Sequence, residues 1–481
     1  MDASTRRRFS VLLYDALNQQ GYSSARIKHR SNHVSRLCQR LSELNFIKGI
    51  PSILIPVGSF GEGISKLYSS DMDIMQSYCD IMCVDEVSHE NVTSNLVFQN
   101  EYTNTSPGYV RLYTNHAVSN AVSSCPYLIS QRCIDTGKHY LNSRLTVQEL
   151  SKYAASNEIN GPASTVNRLR CCTIGYEWML EELNTTKFEG DCVIALPFFS
   201  KSILDQWQRR ERYHEWPSRS LKREISTMIG YVVPVGHKVS QNKDIEWRIS
   251  YTTVEKKLVD NMNDVQVKLY VVLKFVQKDR LKPICKNFTS YMVKNLVFWV
   301  LELTPIGEYT PELLADRILS AFCHLKQCLE KCFLPCYMIP ERNLFDGRMD
   351  QMECSLLLRE VECIINEGYA CLLKNHKLSL SMKLTYSYPE KARDYAQWLV
   401  EVEDVNIECT EMATKHAMMS NTHIEDGHIL VNMLRDGVCV VQLFRMLQLL
   451  GLGHFAALVN MLQDPIEFLR LICTRLVDAL S

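Results

Sequence analysis

Between residues 31 and 46, apolar residues recur at steps of three and four, which predicts one long amphipathic helix. The repeating positions are Val34, Leu37, Leu41 and Leu44. Gly49 and Pro51 should end this helix. Short apolar runs bounded by turn residues follow and predict buried strands at 52–57, 72–75, 191–196 and 246–252.

After residue 254 the pattern changes to helical periodicity, in segments 254–278, 291–303 and 311–333. From about residue 354 onward it is nearly all helical, with a polar connection around 386–393. The order predicts an α+β protein of two lobes with a cleft between them: a mixed sheet with a long N-terminal spine helix, followed by a helical lobe. We expect units at 1–255, 256–385 and 386–481.

The amino-acid composition indicates a folded protein of nearly neutral net charge. Of 481 residues, 46% are apolar and 22% charged, which excludes a mainly disordered chain. Lys and Arg number 53 against 54 Asp and Glu, so any surface for nucleic acid must be local. The most apolar stretch, 440–462, is interrupted by polar residues, and the N-terminus lacks a signal-peptide core. We therefore expect a cytoplasmic protein with no membrane partner.

Nineteen cysteines in a long chain without a secretory signal are expected to be reduced thiols. A cluster of cysteine and histidine between residues 323 and 336 suggests a zinc site. Its cysteines are spaced four and five residues apart, whereas structural zinc sites usually have pairs of ligands in CxxC spacing. Buried core thiols are the favoured interpretation, because cysteine is among the most buried residue types. The same holds for Cys171 with Cys172, and for Cys79 with Cys83. The cluster comprises Cys323, His324, Cys328, Cys332 and Cys336.

Candidate chemistry begins where Gly58 and Ser59 follow the apolar run 53–57. After a loop, Asp71 and Asp73 lead into the next predicted strand. Two carboxylates separated by one residue on a strand point to the same face, and such hard oxygen ligands suit Mg²⁺ or Mn²⁺. Gly58 leaves room for a phosphate, and the Ser59 hydroxyl can donate to it.

The spacing of the two acids alone leaves two interpretations, since they could also be solvent-facing residues of a turn. The order of strand, Gly-Ser, loop and Asp-x-Asp resembles the polymerase-β-type nucleotidyltransferases and favours function. Such a two-metal site usually takes a third carboxylate from a neighbouring strand. Asp191 qualifies, because it opens the apolar run 192–196.

From about residue 26 to 346 the chain resembles the male abnormal 21 (Mab) domain superfamily, which includes cyclic GMP–AMP synthase (cGAS) and the cGAS-like receptors. The resemblance rests on short stretches in a specific order. They are VGSFGEG (57–63), SDMDIM (70–75), NGPA (160–163), DCVIALP (191–197), WP (216–217), VPVGHK (233–238), EWRISYT (246–252), VEKKL (254–258), SYMVK (290–294) and IPERNLF (339–345).

The resemblance implies an enzyme that joins ATP and GTP, or two like nucleotides, into a cyclic dinucleotide for innate immune signalling. Asp71, Asp73 and Asp191 would be catalytic and would ligate two Mg²⁺ or Mn²⁺ ions. Lys274 would reach triphosphate oxygens, and Tyr291 would stack on a base. The implied nucleotide-binding residues are Gly58, Ser59, Asp191, Arg248, Ser250, Thr252, Glu255, Lys274, Ser290, Tyr291 and Lys294.

Structural roles remain open for these residues: Arg248 could be an ion-pair partner, Lys274 a solvated residue, and Tyr291 a core ring. The chain also departs from vertebrate cGAS, since no zinc-thumb insertion separates Glu255 from the Lys274 helix. We therefore expect no zinc thumb and an activator other than cGAS-type DNA. The alternative function is a non-catalytic Mab-fold protein that binds a nucleotide or serves as a scaffold in signalling or development.

Basic residues cluster on the spine helix and suggest an activator surface, for which double-stranded RNA is the favoured ligand. These candidates are Arg26, Lys28, Arg30, Arg36 and Arg40. A solvated, salt-bridged face is the structural alternative. The apolar series between Leu443 and Leu462 should be buried, either within the chain or in a homo-oligomer or protein-partner interface, with internal packing favoured.

Overall fold

A computed structural model describes residues 2–66, 72–85, 96–115, 125, 127–153, 158–160, 163–166, 190–420, 445, 448 and 449. Asp71, the cysteine pair 171–172 and most of the 443–462 series lie outside the described residues. Strands alternate with helices up to residue 250, and from there to residue 420 the described elements are helices. The fold is therefore mixed α+β with a helical C-terminal region, as predicted.

Two helices open the chain: α1 (Ala3–Gln19) and α2 (Ser24–Ile47). The long predicted helix is confirmed as α2, but it begins seven residues earlier than predicted. Ser23 caps it, because its hydroxyl accepts a hydrogen bond from the Arg26 N–H at 3.3 Å. Val34, Leu37 and Leu41 of the predicted apolar stripe are buried, and Leu44 is half-buried.

Twelve strands pair into one sheet within the described ranges. Their order is β1-β2-β10-β11-β12-β5-β4-β3, and the remaining strands attach at β5 and β10. They are β1 (Ser52–Pro56), β2 (Met72–Tyr78), β3 (Ile81–Val84), β4 (Leu96–Glu101), β5 (Tyr109–Thr114), β6 (Ser130–Arg132), β7 (His139–Leu141), β8 (Glu158–Asn160), β9 (Ala163–Val166), β10 (Gly190–Phe199), β11 (Gly230–Val233) and β12 (Glu246–Ser250). All four predicted strands are present.

Strand β10 holds the sheet together because its two halves have different neighbours. Residues 190–195 pair in parallel with β2, and residues 190–193 also pair with β9. Residues 196–199 pair instead with β11 and β3. Parallel and antiparallel pairs are combined, so the sheet is mixed, as predicted.

Short helices lie among the strands: α3 (Gly58–Gly61), α4 (Ser143–Tyr153), α5 (Lys201–Arg209) and α6 (Arg219–Ile225). The helical region contains α7 (Thr252–Asp260), α8 (Asp264–Val276), α9 (Ser290–Leu303), α10 (Leu314–Glu330), α11 (Gln351–Glu367), α12 (Ala370–Leu373), α13 (His376–Ser387) and α14 (Pro389–Ser420). One large core of buried side chains includes residues of α1, the sheet and the helices through α13.

Two predicted boundaries were wrong. The helix predicted at 254–278 is two helices, because Asn263 and Gln266 form a capping box that starts α8. The polar connection predicted at 386–393 is mostly helical, and only Tyr388 separates α13 from α14. Pro389 causes this break: it disfavours helical backbone at the residue before it and fits the first helical position.

Helix α14 packs against the rest of the chain. Its side chains Ala392, Leu399, Val402 and Val405 are buried, and α14 contacts α1, α2 and α13. Helix α14 is thus packed internally, whereas internal packing of the 443–462 series stays a prediction. In the described part of the chain, no helix combines the length and apolarity needed to cross a membrane.

Candidate active site

Two of the three predicted acids lie side by side in the sheet. Strands β2 and β10 are parallel, and their register pairs Asp73 with Asp191. Paired residues of adjacent strands point to the same face, so both carboxylates emerge together. Asp71 lies outside the described residues. Within the described ranges, no group of three or more His, Cys, Asp or Glu side chains could hold a metal ion.

Gly58 lies directly against the Asp73 carboxylate. A Cβ atom added to Gly58 would overlap Asp73 Oδ2, and the Gly58 φ angle of +61° is one that L side chains rarely adopt. The Val57 N–H donates to the Asp73 carbonyl at 3.0 Å and fixes this approach. The position therefore requires glycine both for its conformation and for space.

Lys274 and Ser59 meet beside these acids. Lys274 lies in the last turn of α8, and its ammonium donates a hydrogen bond to the Ser59 hydroxyl. Burial lowers the pKa of Lys274 to about 8, and repulsion from Lys294 adds to this, whereas Glu62 and Asp73 oppose the shift. At neutral pH the amine therefore stays mostly protonated, and a nearby anion would favour its charged form further.

One face of the sheet carries several further predicted residues. Along β12, Trp247 and Ile249 are buried on the core side, whereas Arg248 and Ser250 are half-buried on the other. The registers from β2 through β10 and β11 to β12 place Arg248 and Ser250 on the same face as Asp73 and Asp191. The floor of this face is a small apolar cluster of Met75, Val193, Ala195, Tyr231 and Val233.

Three more predicted residues meet in a buried network next to this face. Lys294 forms ion pairs with Glu62 at 2.9 Å and Glu255 at 2.7 Å. The Tyr291 hydroxyl donates to Glu255 at 2.9 Å, and the Tyr270 hydroxyl donates to Glu62 at 3.1 Å. Burial alone would lower the pKa of Lys294, but the two carboxylates raise it above its ordinary value.

Glu62 was missed by the sequence analysis. It lies immediately after α3, and its side chain links the Gly58–Ser59 segment to α8 and α9. Its position in the VGSFGEG stretch could have indicated it, because this acid closely follows Gly58 and Ser59, the residues predicted to bind phosphate. Of the other predicted residues, Thr252 is half-buried at the start of α7, and Ser290 is exposed at the start of α9.

The candidate activator residues of α2 already have partners on α14. Arg26 pairs with Glu403 and with Asp404, and Arg36 pairs with Glu411 at 2.8 Å. Arg40 donates to the Glu411 carbonyl at 3.4 Å, whereas Lys28 is exposed. Much of this flank is therefore a salt-bridged surface, which was the structural alternative to an activator-binding surface.

Arg30 is the most buried of these residues. It is 1% exposed, it pairs with Glu403 at 3.0 Å, and it donates to the carbonyls of Gly21 and Gly63. All three guanidinium nitrogens of Arg30 have hydrogen-bond partners within the chain, so Arg30 is an interior residue and is not available to an activator.

The cysteine cluster is spread over different environments. Cys328 and Cys336 are buried, Cys332 is half-buried and Cys323 is exposed. Cys336 lies 3.8 Å from the Tyr291 hydroxyl, and Cys332 Sγ lies 2.7 Å from Cys354 Sγ. Cys328 and Cys336 therefore fit the interpretation as core thiols, whereas the interpretation is wrong for the exposed Cys323. It also holds for the buried Cys83 but is wrong for Cys79, which is exposed.

Comparison with protein families matches one part of the chain. Residues 265–363 match the family described as the Mab-21 protein HhH/H2TH-like domain. The match begins at the start of α8 and includes Lys274, Ser290, Tyr291 and Lys294. It lies within the predicted helical unit and ends in α11. The chain therefore contains a Mab-21 domain, consistent with a member of the Mab-21 and cGAS-like family.

Proposed function

We propose that the chain is a two-lobed nucleotidyltransferase that joins ATP and GTP, or two like nucleotides, into a cyclic dinucleotide for innate immune signalling. One observation carries the proposal: the register of β2 and β10 places Asp191 beside Asp73, against Gly58. The bond between Lys274 and Ser59 adds a cation and a hydroxyl next to the acids. Acids, a glycine turn and a phosphate-binding cation are the parts that nucleotidyl transfer needs.

The donor set fits two Mg²⁺ or Mn²⁺ ions. Asp73 and Asp191 supply hard carboxylate oxygens from adjacent strands, and Asp71 would supply the third ligand. When bound, two such ions would activate the attacking ribose hydroxyl and stabilise the pyrophosphate leaving group. Zinc is no part of this proposal.

The chain's own residues would position the nucleotides. Lys274 and Ser59 would hold the triphosphate, and the Asp191 carboxylate would accept the proton of the attacking hydroxyl. Arg248, Ser250 and Thr252 would contact the nucleotides from the sheet side. Since Glu255 and Lys294 are engaged with each other, we propose that they orient the Tyr291 ring and do not touch the nucleotide directly.

The test is a turnover screen with the full chain. Labelled ATP, GTP, CTP and UTP are supplied with Mg²⁺ or Mn²⁺, alone and with double-stranded RNA, DNA or single strands, and products are separated by chromatography. A cyclic dinucleotide in any arm supports the proposal. No product in any arm contradicts it and favours the non-catalytic Mab-fold scaffold.

Triphosphate binding should depend on pH through Lys274. Its pKa of about 8 lies below the ordinary value for lysine, so in the free protein the amine loses its charge as pH rises through 8. A bound triphosphate favours the charged form, so binding above pH 8 must take up a proton. We expect about tenfold weaker binding of a non-hydrolysable ATP analogue at pH 9.5 than at pH 7.

Calorimetry in buffers of different ionisation enthalpy measures this proton uptake. The variant Lys274→Arg is the matched control, because its guanidinium stays charged throughout the range. Its affinity should vary less with pH than that of the wild type. An equal pH dependence in both proteins would remove Lys274 from the triphosphate site.

We propose that a nucleic-acid activator, double-stranded RNA foremost, binds along the basic flank of α2. Lys28 and Arg36 remain exposed there. Since Arg26 and Arg36 pair with acids of α14, a polyanion would replace Glu403, Asp404 and Glu411 at part of this surface. A homo-oligomer or protein partner would use the apolar 443–462 series, most of which the structure does not describe.

A further inference from the structure

Two thiols meet where α10 ends and α11 begins. Cys332 lies just after the end of α10, and Cys354 is the fourth residue of α11. Their sulfur atoms lie 2.7 Å apart, although 22 residues separate them along the chain. The two helices also pack against each other. Because the sulfur atoms are already in contact, a bond between them needs only a small movement of the side chains.

Cys332 occupies a backbone position that usually belongs to glycine. Its φ angle of +46° lies in the left-handed region that L side chains rarely adopt. The Cys332 N–H donates to the Leu329 carbonyl at 3.0 Å. The next N–H, of Phe333, donates to the Cys328 carbonyl at 2.9 Å. These two bonds are those of a Schellman motif, and a cysteine at its left-handed position costs strain of the kind found at functional residues.

Further hydrogen bonds hold the backbone at both cysteines. The Asn343 side chain donates to the Cys332 carbonyl at 3.0 Å, which fixes the residue that follows α10. On the other side, Asp350 and Glu353 form a capping box that starts α11 directly before Cys354. Since both backbones are anchored, the approach of the two sulfur atoms is built into the fold.

The two thiols differ in their access to solvent. Cys332 is half-buried, whereas Cys354 is 1% exposed. Burial raises the pKa of Cys354 to about 12, and its hydrogen bond to Cys332 adds to this rise. Cys354 therefore keeps its proton at neutral pH. A dissolved oxidant would meet Cys332 first, with Cys354 directly behind it as the second thiol.

We propose that Cys332 and Cys354 are an oxidation site that forms a reversible disulfide with hydrogen peroxide as the oxidant. The Cys332 sulfur attacks one peroxide oxygen, the O–O bond breaks, and a sulfenic acid and one water are formed. The Cys354 sulfur then displaces the sulfenic hydroxyl, which leaves with the Cys354 proton as a second water. Two thiols thus lose two electrons and two protons, and one peroxide is reduced to two waters. A dithiol reductant reverses the step by thiol–disulfide exchange.

The disulfide would close the segment between α10 and α11 into a loop. Within this segment, Cys336 lies 3.8 Å from the Tyr291 hydroxyl. The Tyr337 N–H donates to the Asn295 side chain at 2.8 Å. Tyr291 and Asn295 both belong to α9, so oxidation would fix a segment that packs on this helix. Because a cross-link restricts the unfolded chain most, it should also stabilise the fold, whether or not the chain is an enzyme.

The experiment treats the reduced full chain with a small excess of hydrogen peroxide and then blocks the remaining thiols with iodoacetamide. Disulfides are mapped by mass spectrometry after digestion without reductant, and melting temperatures are measured before and after oxidation. Wild type is compared with Cys332→Gly and Cys354→Ala. Glycine suits the left-handed backbone at 332, so Cys332→Gly should fold at least as well as the reduced wild type. The control is Cys323→Ser, which removes an exposed thiol of α10.

We expect a peptide cross-linked through Cys332 and Cys354 in oxidised wild type and Cys323→Ser, and its disappearance after dithiothreitol. Oxidation should raise the melting temperature of the wild type by about 3 °C and should not raise that of Cys332→Gly. The competing partner is Cys285, whose sulfur lies 3.5 Å from Glu353, the neighbour of Cys354. Absence of the cross-linked peptide, a bond from Cys354 to Cys285 in its place, or an equal rise in melting temperature for Cys332→Gly would overturn the proposal.

Discussion

Replacing Lys294 with methionine is expected to lower the free energy of unfolding by about 3 to 5 kcal/mol. Lys294 is 6% exposed and bridges the carboxylates of Glu62 and Glu255, each 4% exposed. Its removal leaves two buried acids without their shared cation, while methionine keeps most of the side-chain volume. The decrease in the free energy of unfolding would therefore come from the missing charge and not from a cavity.

Urea denaturation measures this change, with Lys286→Met as the control. Lys286 is an exposed lysine just before α9, and its replacement should alter stability by about 0.5 kcal/mol or less. Equal stability of the two variants would show that the Glu62–Lys294–Glu255 network contributes nothing to folding.

The pH dependence of the Lys294 contribution has a definite sign. The pKa of Lys294 is raised in the folded protein, so its stabilisation is fully present below the unfolded value of about 10.4 and is lost as pH rises above it. The stability difference between wild type and Lys294→Met should thus stay large at neutral pH. This keeps the network intact wherever the proposed reaction runs.

Replacing Asp191 with asparagine is expected to lower the turnover of nucleotides by about 10³-fold, equivalent to about 4 kcal/mol of transition-state stabilisation. The change removes one negative charge and nearly no volume, so the fold should persist. Because Asp191 lies beside Asp73, the substitution also relieves repulsion between like charges. We therefore expect unchanged or slightly increased stability together with the loss of activity.

Local sequence patterns predicted the parts of this site better than their assembly. The apolar runs located β2, β10 and β12, whereas Arg248 and Ser250 were assigned to the site only by the family resemblance. The register that pairs Asp73 with Asp191 depends on strand order, which a run of apolar residues does not encode. The family resemblance supplied that step.

Long-range contacts account for what the sequence could not predict. Arg30 was predicted to contact an activator as one of a cluster of basic residues. Its actual partner, Glu403, lies 373 residues away along the chain, so local sequence could not reveal the pair. Glu62 was missed for the same reason, since its partners Tyr270 and Lys294 lie on α8 and α9. Short-range periodicity describes helix faces but not which helix covers them.

The proposed catalysis of nucleotidyl transfer by adjacent acids on β2 and β10 is tested by substituting Asp191. Wild type, Asp191→Asn and Asp135→Asn, an exposed control between β6 and β7, are incubated with labelled ATP and GTP, Mn²⁺ and double-stranded RNA. Wild type and Asp135→Asn should give equal product, and a folded Asp191→Asn should give about 10³-fold less. Equal product from all three proteins would contradict it.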